Sequence, residues 1–210
     1  MTPGRSVACA LAAPALLSGC FSFDRDAPDR MRYLLEASRP TSAARDGAGV
    51  IEVRPFHADA ACAGRQLVYR HADGRVEVPY YDELLITVPV AITEATRRWL
   101  DASGRFRAVL APGSRAAADL VLEGDVLAVH AETGEHPAAV VAITFTLLAP
   151  DRSVAWREAL SAREGLADES PAAFVRAAGL ALAAVLAQLE ARLPPVAASP
   201  GPRASLRGGG

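Results

Sequence analysis

The first twenty residues, MTPGRSVACALAAPALLSGC, constrain what the rest of the chain can become. A single cation, Arg5, precedes an apolar run from Val7 to Leu17, 11 residues long. A helix needs roughly 20 apolar residues to span a bilayer, so this run reads as the core of an export signal and not as a permanent anchor. It ends in Leu17-Ser18-Gly19-Cys20, the pattern of a bacterial lipobox: an aliphatic residue three before the Cys, with small residues between. Residues 1–19 are then a removed signal peptide, and Cys20 opens the mature chain with an acylated thiol and amine. Each buried CH₂ contributes about 0.8 kcal/mol, so two or three chains anchor the protein lastingly. Phe21, not Asp, follows Cys20. In a Gram-negative host that favours an anchor in the outer membrane, facing the periplasm.

The composition removes several chemistries. All 22 basic residues are Arg, and the chain has neither Lys nor Asn. Without Lys there is no Schiff base and no Walker-type phosphate loop. The net charge of −2 offers no basic field for nucleic acid. Three Cys, one in the signal and one taken by lipid, leave Cys62 with no disulfide partner. No Gly-rich dinucleotide fingerprint and no G-x-S-x-G elbow occurs. The reading is a non-enzyme without a cofactor.

Hydropathy patterning divides the chain. Residues 20–30 form the lipidated Cys and a polar tether, 31–193 the folded domain, and 194–210 (from Pro194, through VAASPGPRASLRGGG) a disordered tail. Tyr33-Leu34-Leu35 marks a first strand. Val50–Phe56 alternates, with Ile51 and Val53 inward. Gln66–His71 and Arg75–Tyr81 flank Ala72-Asp73-Gly74, a strong hairpin signal, and Pro79 points to an edge. Thr87 and Pro89 open a helix whose stripe is Val88, Ile92, Ala95, Trp99 and Leu100, with Glu94 and Arg98 paired on its wet face and Gly104 as its stop. After a short strand at Phe106–Leu110, three more are expected at Asp119–Val129, Ala138–Leu148 and Ser153–Ala162, the last burying Val154, Trp156 and Leu160. Ser170 and Pro171 begin a second helix, Ala172–Leu193, with the stripe Phe174, Ala178, Leu182, Val185, Leu189, Leu193 and a ridge of Gly179, Ala183 and Ala187 that permits close approach. Its apolar run between Arg176 and Gln188 is 11 residues, short for a membrane span. The fold class is α+β: a two-layer domain with a mostly antiparallel sheet of about 7–8 strands and two amphipathic helices on one face.

Candidate chemistry is sparse. Asp119, Glu123 and Asp125 alternate opposite a core face, as a solvated sheet face does. His130, Glu132, Glu135 and His136 at an expected hairpin tip match no zinc spacing, so no metal site is assigned. His57 and His71 read as isolated surface residues, and Cys62 as a buried or loop thiol. Tyr80 and Tyr81 are adjacent, so one points out of its strand, and both are candidate partner-binding residues.

The ordered set of LSGC at Cys20, Tyr33-Leu34-Leu35, IEVRPF (Ile51–Phe56), LVYR (Leu67–Arg70), VEVPYYDE (Val76–Glu83), the Pro89 helix, SGRFRAVL (Ser103–Leu110) and ADLVLEGDVLAV (Ala118–Val129) resembles the ABC-type transport auxiliary lipoprotein family, which includes the paraquat-inducible protein C type. The resemblance covers residues 17 to 193. It departs from the family in lacking a Trp before the first helix, where Leu84–Val88 stands. It implies an auxiliary, non-catalytic part in (phospho)lipid transport, beside an ATPase, a permease and a mammalian-cell-entry (MCE) domain protein spanning the periplasm. An alternative is an outer-membrane assembly lipoprotein that binds a β-barrel partner. No oligomeric state follows from the sequence.

Overall fold

The computed structural model describes residues 29–41 and 46–195. The signal, Cys20, the tether to residue 28 and the tail from residue 196 lie outside these.

The order is six short strands, a helix, four strands and a helix. The strands are β1 (Met31–Tyr33), β2 (Val50–Val53), β3 (His57–Ala58), β4 (Tyr69–Arg70), β5 (Val76–Glu77) and β6 (Asp82–Leu84), then β7 (Ala108–Leu110), β8 (Leu120–Glu132), β9 (Ala138–Leu148) and β10 (Val154–Gly165); α1 is Val88–Ala102 and α2 is Pro171–Arg192. The expected α+β architecture is the one observed, with eight strands in the main sheet.

The long strands β8, β9 and β10 form an antiparallel meander. On its other side β8 carries three short strands in succession, all parallel to it: β2 at Leu120–Leu122, β3 at Asp125–Val126 and β4 at Ala131–Glu132. β7 pairs parallel with β2, and β1 with β6 in a separate two-stranded sheet. The antiparallel ladder dominates by length, and a parallel fringe lies beside it.

One face is apolar because alternation puts Ile51, Val53, Leu122, Val126, Val141, Ile143, Phe145, Leu147 and Leu160 on it, all buried. Both helices close this face: α1 over β2, β3 and β7, α2 over β9 and β10. A bulge between Val126 and Ala128 leaves Leu127 exposed and resets the alternation, so Val129 and Ala131 return inward. Gly124 faces the core because the Phe56 ring sits on it; a Cβ there would stand 2.6 Å from that ring. Phe56 in turn packs edge-on to Phe145 at 5.8 Å. The Phe56 amide donates to Thr93 Oγ1 at 2.9 Å, tying the exit of β2 to α1.

The helix ends follow their signals. Ser170 Oγ accepts from the Ala173 amide at 3.2 Å, with Pro171 in the first turn. Thr87 stands at the start of α1 with extended backbone but makes no side-chain cap bond. Gly104 takes φ of 68°, past the last turn. By length and composition α2 would reach across a bilayer, more than the 11-residue run suggested, yet over half of that stretch is buried in the protein, so it is a core helix.

Three local expectations change. Glu94 pairs with Arg97, one turn position earlier than Arg98. A register shift after Val154 turns it outward, 60% exposed, while Trp156 packs on the core. His130 and Glu132 lie within β8, not at its tip, because the strand runs three residues further than its apolar pattern.

Candidate functional site

The Asp-Gly hairpin forms as expected but with only two residue pairs: Tyr69 opposite Glu77 and Arg70 opposite Val76. Gly74 takes φ of 86°, and Asp73 Oδ1 accepts from the Arg75 amide at 3.0 Å. That amide and the Arg75 guanidinium hold the Asp73 carboxyl below its ordinary range. The chain then leaves the hairpin through Val78, Pro79, Tyr80 and Tyr81 and joins β1 through β6. Both tyrosines are exposed, Tyr80 at 73% and Tyr81 at 38%, where alternation expected one of them to be. Their rings meet edge-on at 5.0 Å, and the Arg30 guanidinium lies 5.2 Å from the Tyr80 ring while donating to its hydroxyl at 3.2 Å. Met31 N donates to Tyr81 O at 2.8 Å, which places the chain entering the domain directly beside this pair.

The other candidates resolve into structural roles. On the outer sheet face Glu123 accepts from Arg54 at 2.7 Å, and Asp125 faces Arg157 at 4.0 Å. Asp119 Oδ2 accepts the Val50 amide at 2.8 Å. Glu132 is engaged by Arg163 at 3.0 Å, and Arg163 also donates to the His136 carbonyl at 2.8 Å. His130 stands 3.9 Å from Glu132, buried; burial first, and then Arg70, lower its pKa and keep it neutral. Among the described residues no three His, Cys, Asp or Glu side chains form a group that could hold a metal ion. His71 is not isolated: Nε2 meets Glu77 at 3.3 Å and Nδ1 meets Thr133 Oγ1 at 2.9 Å, pinning the hairpin to the end of β8. Cys62 is buried with its thiol toward the Val126 carbonyl at 3.6 Å, and burial raises its pKa, so it is a poor nucleophile.

One cluster has a weaker sequence signature. Glu190, the lone carboxylate of α2, accepts from Arg39 at 2.8 Å and from Trp99 Nε1 at 2.8 Å. Arg105 donates to Glu190 O at 2.8 Å and to the Leu193 carbonyl, closing the helix end. Around it lies an open groove of about 650 Å³ floored by Ala183, Ala184 and Ala187. The expected small-residue ridge thus has two uses: Gly179 admits the Glu36 carbonyl, 2.5 Å from where a Cβ would stand, and Ala183 and Ala187 floor the groove. A single acid in an otherwise apolar helix was the signal that could have marked Glu190. Tyr69 carries a buried hydroxyl without a partner, and burial pushes its pKa up to about 12.

Comparison with known proteins agrees with this architecture. The crystal structure of protein XCC0632 from Xanthomonas campestris, a DUF330 protein, superposes with a TM-score of 0.63 at 19% identity, covering 76% of this chain and 90% of that one. A second solved structure, of an uncharacterized protein, gives 0.62 at 12% identity over 77% and 96%. The hypothetical protein CT253 from Chlamydia trachomatis gives 0.51 at 14% over 70% and 95%. No curated protein matches the chain. The model of the ABC-type transport auxiliary lipoprotein component matches residues 33–190, from β1 nearly to the end of α2, and the chain belongs to that family.

Proposed function

We propose that the protein is a non-catalytic auxiliary subunit of an ABC-type (phospho)lipid transport system, anchored in the outer membrane through acylated Cys20 with its domain in the periplasm. It docks the MCE-domain protein of that system, and a partner ATPase supplies the energy. The observation that carries the reading is the family match across the whole folded domain, with a lipobox Cys 13 residues upstream of where the match begins. The engagement of each polar cluster in internal pairing, with no nucleophile and base brought together among the described residues, supports a binding role. Tyr80 and Tyr81 serve as contact residues in the assembly. Detergent extraction of the intact protein and co-purification tests this: an MCE-domain protein is recovered with it. Repeated recovery of a β-barrel instead, with the anchor intact, would overturn the reading in favour of an outer-membrane assembly role.

A further inference from the structure

The large apolar side chains that the fold leaves exposed are not scattered. Nine of the twelve among the described residues lie on two segments, Met31–Leu34 and Val76–Val90. The β1–β6 pairing brings these segments together: Met31 N bonds Tyr81 O, and Leu85 N bonds Tyr33 O, each at 2.8 Å. Met31, Tyr80 and Tyr81 therefore cluster at one end of the small sheet, and Leu34, Leu85 and Ile86 at the other. Apolar clusters of this kind mark contact surfaces.

The charges of the same sheet are arranged to leave that surface uncovered. Glu83 is held between Arg32 at 3.1 Å and Arg65 at 3.3 Å, and Asp82 accepts from the Tyr33 hydroxyl at 3.1 Å. Arg30 lies on the Tyr80 ring. Tyr with an apolar body and polar tip, flanked by Arg, is the chemistry that suits the headgroup level of a bilayer.

The position of the sheet in the chain selects the occupant. β1 is the first element after Cys20, and the 11 residues from Cys20 to Met31 reach at most about 36–40 Å when fully extended. We infer that the β1–β6 sheet with Tyr80, Tyr81 and Leu85 is a membrane-facing surface, which lies against phospholipid headgroups and orients the domain on its anchor. The inference rests on the acylation of Cys20. It gives the acyl chains a second attachment, which lipid anchors commonly need for a fixed orientation as well as for residence.

The test uses the mature, acylated full chain in vesicles of phosphatidylethanolamine and phosphatidylglycerol, in a Cys62→Ala background. Tyr80→Cys, Leu85→Cys and Val154→Cys each carry an environment-sensitive fluorophore, and lipids with a shallow nitroxide serve as quencher. All three positions are exposed, and Val154 lies at the opposite end of the β8–β10 ladder from the strand segment that bonds the small sheet. A surface helix or loop in this zone sits about 5–10 Å into the headgroup boundary, so quenching about threefold or more stronger at positions 80 and 85 than at 154 is expected. Equal quenching at the three positions, with the acyl mass on Cys20 confirmed, overturns the inference alone. So does shielding of positions 80 and 85 only on addition of a periplasmic protein partner, which would make this a protein contact. A mature protein without the acyl mass overturns the anchor and the inference together.

Discussion

The two sides of the sheet are built by different means. The β8–β10 ladder pairs eleven residues with eleven on each side of β9, and α2 seals its inner face with Phe174, Leu182, Val185, Leu186 and Leu189. The fringe, β1 to β7, consists of strands two to four residues long, mostly parallel, and is held by loops, single side chains and α1. In the ladder, stability comes from area removed from water. In the fringe it comes from a few specific contacts: Phe56 on Gly124, Glu36 over Gly179, and Glu190 with Arg39 and Trp99. The part with the weaker internal support is also the part that exposes apolar side chains, as an element that completes its burial against something else would.

The sharpest way to break this contrast is Phe145→Ala. Phe145 is fully buried in β9 and carries Phe56, so about 3–5 kcal/mol of stability should be lost, read by urea denaturation. A loss under 1 kcal/mol would deny the ladder its role. Gly179→Val comes next: its Cβ meets the Glu36 backbone, and overpacking costs about 1–3 kcal/mol. Hydrogen exchange should rise in Met31–Leu35 while the amides of β9 stay protected; uniform exposure would show the two regions to be one cooperative unit. Glu190→Gln removes the charge partly buried against Arg39 while keeping the side chain's size, and about 1–2 kcal/mol is expected, with a change in Trp99 fluorescence. The smallest effect concerns pH. His130 in the folded protein titrates below its ordinary 6.5, so the unfolded chain binds the proton first as pH falls. Its contribution is full above 6.5 and declines as pH drops from there toward the depressed folded value. Stability measured at pH 7.5 and 5.5 should fall less in His130→Gln than in the parent; equal falls would place the acid sensitivity elsewhere.

Much of the fold was legible because it depends on local pattern. Alternation marked β8, β9 and β10, the Ser170-Pro171 pair marked the start of α2, and Asp73-Gly74 marked a hairpin. Each is decided by backbone preference and by which face is apolar over consecutive residues. The parallel pairing of β2, β3 and β4 along β8 was not legible, since a two-residue strand has no period to read and its partner lies about 60 residues away. The bulge at Leu127 and the shift after Val154 were hidden for a related reason: a one-residue slip reverses the faces and leaves composition unchanged.

By itself the sequence determined the anchor pattern, the class of fold, the two helices, and the absence of Lys-dependent chemistry, because these follow from composition and short-range order. Only the tertiary structure decided that Glu190 joins Arg39 to Trp99, that Glu36 crosses α2 at Gly179, and that Met31 and Tyr81 share one surface. Those pairs are separated by 50 to 151 residues, and nothing local encodes a contact that exists only once the sheet has assembled.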